Sequence, residues 1–347
     1  MKVAVSGSFS WRTTAGALAV AGTIAAAVAI PGAKAEMVEV APGYVVETDE
    51  SVTGTVRIAH GFGLIYAPMP ITRQLGVLEA KYPNAEIVWR NIFTTTQQRD
   101  AMLAGELEFG SCTPGPFLQS WDKGVEWKVL QVTSGFDAYL MVQPDGPETL
   151  EDFIGSDMKI SPGTNTAQYF TTQKLLLDSN KPADALDKNW VRLPHPAAMQ
   201  ALTSEQLDGH FATADYALRH QENGMRRIAS FKEAYGTFYA VAVCVMDRVV
   251  DEHPALSRGY AEVLKKTIDW IDDHPDLAAE ALSKAVDGKV SAENFERYMT
   301  SPVFTTMTGN ANLQEHARIL NELGVLENLP EGAGDFYVYP EDAGAKW

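Results

Sequence analysis

The chain is expected to fold as a doubly wound α/β protein in two lobes with two hinge crossings, and three observations predict this. Short apolar strand-like runs alternate with stretches of helical period from Val56 to Met246. The pattern then recurs. Gly105-Glu106-Leu107-Glu108-Phe109-Gly110 leads to Ser111-Cys112-Thr113, and Glu205-Gln206-Leu207-Asp208-Gly209 leads to His210-Phe211-Ala212-Thr213. Likewise Val56–His60 followed by Gly61-Phe62-Gly63 matches Met158–Ser161 followed by Pro162-Gly163-Thr164-Asn165-Thr166. Gly61 to Gly110 is 49 residues and Gly163 to Gly209 is 46, so two similar units stand in tandem. Finally, the Gly- and Thr-bearing loops fall at the carboxyl ends of strands, where ligands of such sheets bind.

Bulk properties narrow the function. A chain of 347 residues with 46% hydrophobic and 21% charged residues is ordinary globular material. A formal charge of −17 argues against nucleic acid or an anionic membrane surface as partner. Two cysteines, Cys112 and Cys244, make neither a disulfide framework nor a metal spacing.

Residues 1–35 read as a cleavable export leader. Lys2 and Arg12 open it, Ala15–Ile30 is apolar, Pro31-Gly32 breaks the helix, and Ala33-Lys34-Ala35 is a cleavage signal. Removing them takes away three basic residues and no acid, so the formal charge falls from −17 to −20. The expected protein is exported and soluble, beginning at Glu36. Residues 36–54 then form an extended lead-in.

Strands are expected at 56–60, 86–90, 107–111, 127–133 and 138–143, with helices at 70–82, 94–105 and 116–123 between them. Pro144-Asp145-Gly146-Pro147 is a breaker cluster that reads as the first crossing, giving 55–143 as the first part of lobe 1. Lobe 2 covers 144–237, with a short helix at 149–154, strands at 159–160, 190–193, 209–212 and 226–229, and a helix at 166–179. The apolar run 238–246 returns the chain to lobe 1. From Val249 to the end of 238–347 everything reads as helix, with a docked or frayed tail.

Signatures of catalysis are missing: no G-x-S-x-G, H-E-x-x-H, Walker A, C-x-x-C or G-x-G-x-x-G occurs. The seven histidines have no metal spacing. His60, ending the first strand, reads as a polar wall residue. Cys112 reads as a small apolar filler, since no basic neighbour would lower its pKa. The loops at the strand ends hold aromatic and neutral hydroxyl residues, two carboxylates and no Lys or Arg. The expected ligand-binding residues are Phe62, Tyr66, Ser111, Thr113, Asp137, Thr164, Asn165, Thr166, Thr213 and Asp215. Asp215 reads equally well as a helix cap.

Taken together, the A-x-A leader, Val56-Arg57-Ile58-Ala59 with its Gly/aromatic loop, Ala104–Gly110, Leu150–Gly155, Thr164–Tyr169, Leu207-Asp208-Gly209 and Val249–Pro254 resemble substrate-binding proteins of the nitrate/sulfonate/taurine class of ABC importers. The resemblance spans essentially the mature chain. It implies a two-lobed periplasmic binding fold that closes on a small solute and delivers it to an ABC permease in the inner membrane. The protein would be a periplasmic monomer, without cofactor or metal and without enzymatic activity. It also places the acidic residue of taurine-type members on Asp137. Those members carry Trp shortly after the Asp-Gly step, whereas Thr213 stands here, a departure that bears on taurine itself as ligand and leaves the class intact. An aromatic cleft with carboxylates and no cation suits an amphipathic, amine-bearing or zwitterionic solute. Two other functions fit the sequence: a periplasmic sensor subunit, and an enzyme like the pyrimidine-precursor synthases of thiamine biosynthesis, which would need His60 as nitrogen donor.

Overall fold

The computed structural model describes residues 35–344 apart from Phe62, Phe93 and Asn165. The expected leader, save Ala35, lies outside the described residues. The lead-in is a hairpin rather than an extended segment, with β1 (Met37–Ala41) antiparallel to β2 (Tyr44–Glu47). It is anchored by Tyr44, whose hydroxyl donates to Val263 O at 3.0 Å.

The first unit runs β3 (Gly54–His60), α1 (Pro68–Gln74), α2 (Val77–Lys81), β4 (Ala85–Asn91), α3 (Thr95–Leu103), β5 (Phe109–Cys112) and α4 (Pro114–Asp122). The single helix expected at 70–82 is broken because Gly76 sits at φ +63, in the left-handed region. β6 (Trp127–Phe136) follows, and β7 (Tyr139–Val142) leaves for another sheet.

The second unit runs β8 (Ile160–Ser161), α5 (Ala167–Asp178), α6 (His195–Thr203), β9 (Gly209–Ala212) and α7 (Ala214–Glu222). β10 (Arg226–Ser230) and α8 (Phe231–Tyr235) complete it. β11 (Tyr239–Met246) then returns. Six helices or strands close the chain: α9 (Asp247–Glu252), α10 (Pro254–Asp273), α11 (Pro275–Ala285), α12 (Ala292–Met299), β12 (Phe304–Thr306) and α13 (Leu313–Glu322). The stretch expected to be helical from Val249 is split at His253, because Pro254 has no N–H to continue the preceding helix. β12 interrupts the stretch expected to be all helix.

The larger sheet has the order β12-β6-β11-β5-β3-β4 and the smaller β10-β7-β9-β8. β4 and β5 lie parallel to β3, and β9 lies parallel to β8, while β11 and β7 run antiparallel beside β5 and β9. The strand expected at 190–193 shrinks to one parallel bridge between Ile160 and Trp190. Both halves therefore share one plan, in which the first strand lies between the second and third and an antiparallel strand flanks the third.

The mirrored hydrogen bonds explain the repeated motif. Glu108 N–H donates to Arg57 O at 2.9 Å, and Glu108 Oε2 accepts from Arg57 N–H at 2.6 Å. Asp208 repeats this with Lys159 at 3.1 and 2.7 Å. The acid of each Leu-acid step thus clips the third strand of its half to the first.

The first crossing lies elsewhere than expected, while the second falls where the run from 238 was expected to return. β7 belongs to the smaller sheet, so the chain changes sheets between Phe136 and Tyr139, ahead of the breaker cluster, and returns between Ser230 and Tyr239. The breakers instead form a surface turn whose carbonyls at Pro144, Gly146 and Pro147 accept from the Arg226 guanidinium at 2.8–3.0 Å. A second correction concerns Cys112, which is disulfide-bonded to Cys244 with Cα atoms 5.9 Å apart. β5 and β11 are neighbours, so residues 132 apart in sequence become diagonal partners on one sheet face. The tail is docked: Val338 N–H donates to Val129 O at 3.0 Å and Phe336 packs edge-on against Trp121.

Candidate functional site

The halves meet where the loops after β3 and β5 face the loops after β8 and β9. Gly63, at φ +99, has no side chain, and a Cβ there would lie 3.4 Å from Asp215 Oδ1 of the smaller half. Gly115, in the first turn of α4, faces Phe170 of α5; a Cβ there would meet its ring at 3.3 Å. The Gly115 N–H donates to the Tyr239 hydroxyl at 2.8 Å. Tyr239 also carries an aromatic floor, with Phe136, Phe231, Tyr235 and His316 all within ring-contact distance.

The expected ligand residues divide by what already holds them. Ser111 gives both its N–H and its hydroxyl to Gln98 Oε1, at 2.6 and 2.9 Å. Thr166 caps α5, accepting from Tyr169 N–H at 3.2 Å and donating to Gly163 O at 2.8 Å. Asp137 is 2% exposed at the first crossing, and its Oδ1 accepts from Lys232 N–H at 3.0 Å. That bond ties the crossing to the first turn of α8. Burial raises the Asp137 pKa, against the Lys232 N–H and the Lys232 and Arg227 charges. Tyr66 lies under Gly61, its ring filling the space a Cβ would need, and burial pushes its hydroxyl up to about 12. Thr164 is half-buried in the loop after β8. Phe62 and Asn165 lie outside the described residues.

Thr113, Thr213 and Asp215 are different. The two threonines occupy equivalent cap positions before α4 and α7, and neither hydroxyl makes a capping bond. Asp215 is 7% exposed and its Oδ1 has no hydrogen-bond partner. Burial lifts its pKa to about 6, outweighing the backbone N–H groups of Asp215, Leu64 and Tyr216 and the charge of Arg219. The cap position of α7 is Thr213, and Asp215 lies in the helix's first turn. A buried carboxylate oxygen without a donor costs free energy unless something pairs with it.

Sequence reasoning missed Phe170, Tyr235, Tyr239 and His316, because four elements, α5, α8, β11 and α13, bring these rings together. Tyr239 carried one signal: it is the first residue of the returning strand. The histidines are also less scattered than expected. His195 Nδ1 meets His210 Nε2 at 2.8 Å, and His210 Nδ1 meets His220 Nε2 at 2.8 Å. Among the described residues no cluster of His, Cys, Asp or Glu could hold a metal ion.

No known protein-family model matches the chain, and no curated protein matches it. Solved structures do. The alkanesulfonate-binding protein SsuA from Xanthomonas axonopodis pv. citri, bound to MOPS, superposes with a TM-score of 0.66 at 15% identity, covering 79% of this chain and 94% of that one. The periplasmic aliphatic sulphonate binding protein SsuA from Escherichia coli gives 0.64 at 16% identity, covering 79% and 89%. The periplasmic nitrate-binding protein NrtA from Synechocystis PCC 6803 gives 0.63 at 13% identity, covering 82% and 86%. At these identities the likeness carries the architecture: the chain has the fold of periplasmic solute-binding proteins.

Proposed function

We propose that this protein is exported, captures a small solute between its two halves and delivers it to an ABC importer in the inner membrane. The fold likeness supports the capture role, and the leader read from the sequence supports export. The solute is amphipathic and amine-bearing or zwitterionic. One observation carries this: Asp215, buried and with its Oδ1 unpartnered, stands where the smaller half meets the Gly63–Leu64 loop of the larger. Asp137, already bonded at the crossing, becomes a hinge residue rather than a second ligand contact.

An ammonium group at Asp215 would remove the cost of the unpartnered Oδ1, and aromatic faces nearby would favour the same charge. Thr113, Thr164 and Thr213, beside the N-termini of α4, α5 and α7, would serve an anionic end through hydroxyls and helix dipoles. Calorimetry with aminosulfonates, amino acids, alkanesulfonates and nitrate tests this. An amine-bearing ligand is expected to bind, to shrink the radius of gyration as the halves close, and to lose about 2 kcal/mol or more in Asp215→Asn. Tight binding of nitrate or a simple alkanesulfonate, unaffected by Asp215→Asn, would overturn the ligand class while leaving solute capture intact.

A further inference from the structure

Away from that cleft, the seam between the halves holds a cavity of about 250 Å³. Arg219, Glu222 and Asn223 of α7 form one wall, and Lys289, Asn294 and Tyr298 from the stretch after α11 and from α12 form the other. The chain carries a net charge of −17, yet this lining is cationic on balance. Glu222 is its one acid, and it is bonded across the seam to Arg297, outside the lining. Neither the Arg219 guanidinium nor the Lys289 ammonium has an ion-pair or hydrogen-bond partner among the described residues; Arg219 only overlies the Tyr216 ring at 5.7 Å. Other titratable groups facing the cavity's surroundings are few. The Arg219 charge is felt at Asp215, His220 and Tyr298, and Glu293 acts on Arg297 from its own helix. A half-buried guanidinium loses hydration, and here the Tyr216 ring face and the Asp215 charge compensate it without any hydrogen bond.

We propose that this cavity is a second binding site, for a small multivalent anion bearing carboxylates or phosphate, gripped by Arg219 from one half and Lys289 from the other. Its volume is just below that of pockets for drug-sized ligands, about 300–1,000 Å³, which suits citrate or inorganic phosphate. The planar guanidinium offers a two-pronged hold on either anion, and Lys289 offers a mobile point charge. Asn294 adds an amide donor beside them. Because the cations sit on opposite halves, a bound anion ties the seam as the Glu222–Arg297 pair does. It therefore favours the joined arrangement, and by linkage it strengthens whatever binds in the cleft. The anion site stands without the function proposed above; its linkage to the cleft rests on that reading.

The test is calorimetric titration of the mature protein with citrate and, separately, with inorganic phosphate at constant ionic strength. One-to-one binding of at least one of the two is expected, weakened about ten-fold or more by Arg219→Gln and by Lys289→Gln. Lys289 is exposed on a turn, so its variant keeps the fold even if Arg219→Gln does not. Glu222→Gln is expected to tighten binding by removing the one acid. The proposal is overturned if neither anion binds, if Lys289→Gln binds as well as the parent, or if chloride at equal ionic strength gives the same response. Loss of binding in Asp215→Asn but not in Lys289→Gln would place the anion in the cleft and equally overturn it.

Discussion

Five of the seven histidines, His60, His195, His210, His220 and His316, have pKa values pushed below 6.5 by burial, four of them to about 4 and His210 well below 6.5. Three of these share the His195–His210–His220 chain, where both ring nitrogens of His210 are engaged. Each link needs one N–H facing one bare nitrogen. The chain accepts one extra proton at most; a second would set N–H against N–H and break a link. A histidine whose folded pKa is depressed contributes stability that is fully present above its unfolded value of 6.5 and lost as pH falls through about 4. Asp215 acts oppositely: with a folded pKa raised to about 6 from 3.8, its contribution is present below 3.8 and lost as pH rises through about 6. Asp137 and Asp247 are also raised by burial. Five histidines outnumber three carboxylates, so the melting temperature is expected to fall by about 5 °C or more between pH 7 and pH 4.5. Calorimetric scans across that range would check it, and a rising melting temperature would show that the carboxylates dominate.

At the scale of elements, one helix–turn–strand device is used twice. After α3, Glu106 N–H donates to Ala101 O at 2.8 Å; after α6, Gln206 N–H donates to Ala201 O at 2.8 Å. Both turns need a left-handed residue just past the helix. The first has Gly105 at φ +74, whereas the second has Glu205 at φ +59. A Cβ in that region costs about 1–2 kcal/mol, and the extra freedom of glycine in the unfolded chain returns about 0.5–1 of it. Glu205→Gly is therefore expected to stabilise the protein by roughly 0.5–1 kcal/mol. A higher denaturation midpoint would bear this out, and a lower one would show that the Glu205 side chain has a role in the native state beyond its backbone.

Over the whole molecule, β11 unites the fold. It leaves the second crossing at Tyr239, enters the larger sheet between β6 and β5, and is bonded to β5 through Cys112–Cys244. The cross-link closes a separation of 132 residues that contains the entire smaller half. Restricting so long a loop in the unfolded chain stabilises by about 2–4 kcal/mol. Cys112→Ala/Cys244→Ala should lower the unfolding free energy by about that amount, and reduction of the parent protein should do the same. Chemical denaturation with and without a thiol reductant measures it; coincident curves for oxidised, reduced and double-variant protein would remove the bond from the account.

The sequence by itself determined what local chemistry dictates. Strand and helix periods, the Leu-acid-Gly step and the Thr-bearing loops are short-range patterns, so the two-unit plan and the strand-end placement of Thr113, Thr213 and Asp215 were legible before any coordinates. The tertiary structure decided which distant groups become neighbours. Strand register is set by packing across the sheet, so the Cys112–Cys244 pair, the move of Tyr139–Val142 into the smaller sheet and the shrunken strand at Trp190 leave no local trace. Hydrogen-bond demand decided the rest. Ser111, Asp137 and Thr166 have the residue types of a binding site, yet Gln98, Lys232 and Tyr169 reach them first. Asp215 differs from them only in what surrounds it, since burial removes water from its Oδ1 and no hydrogen-bond donor replaces it there.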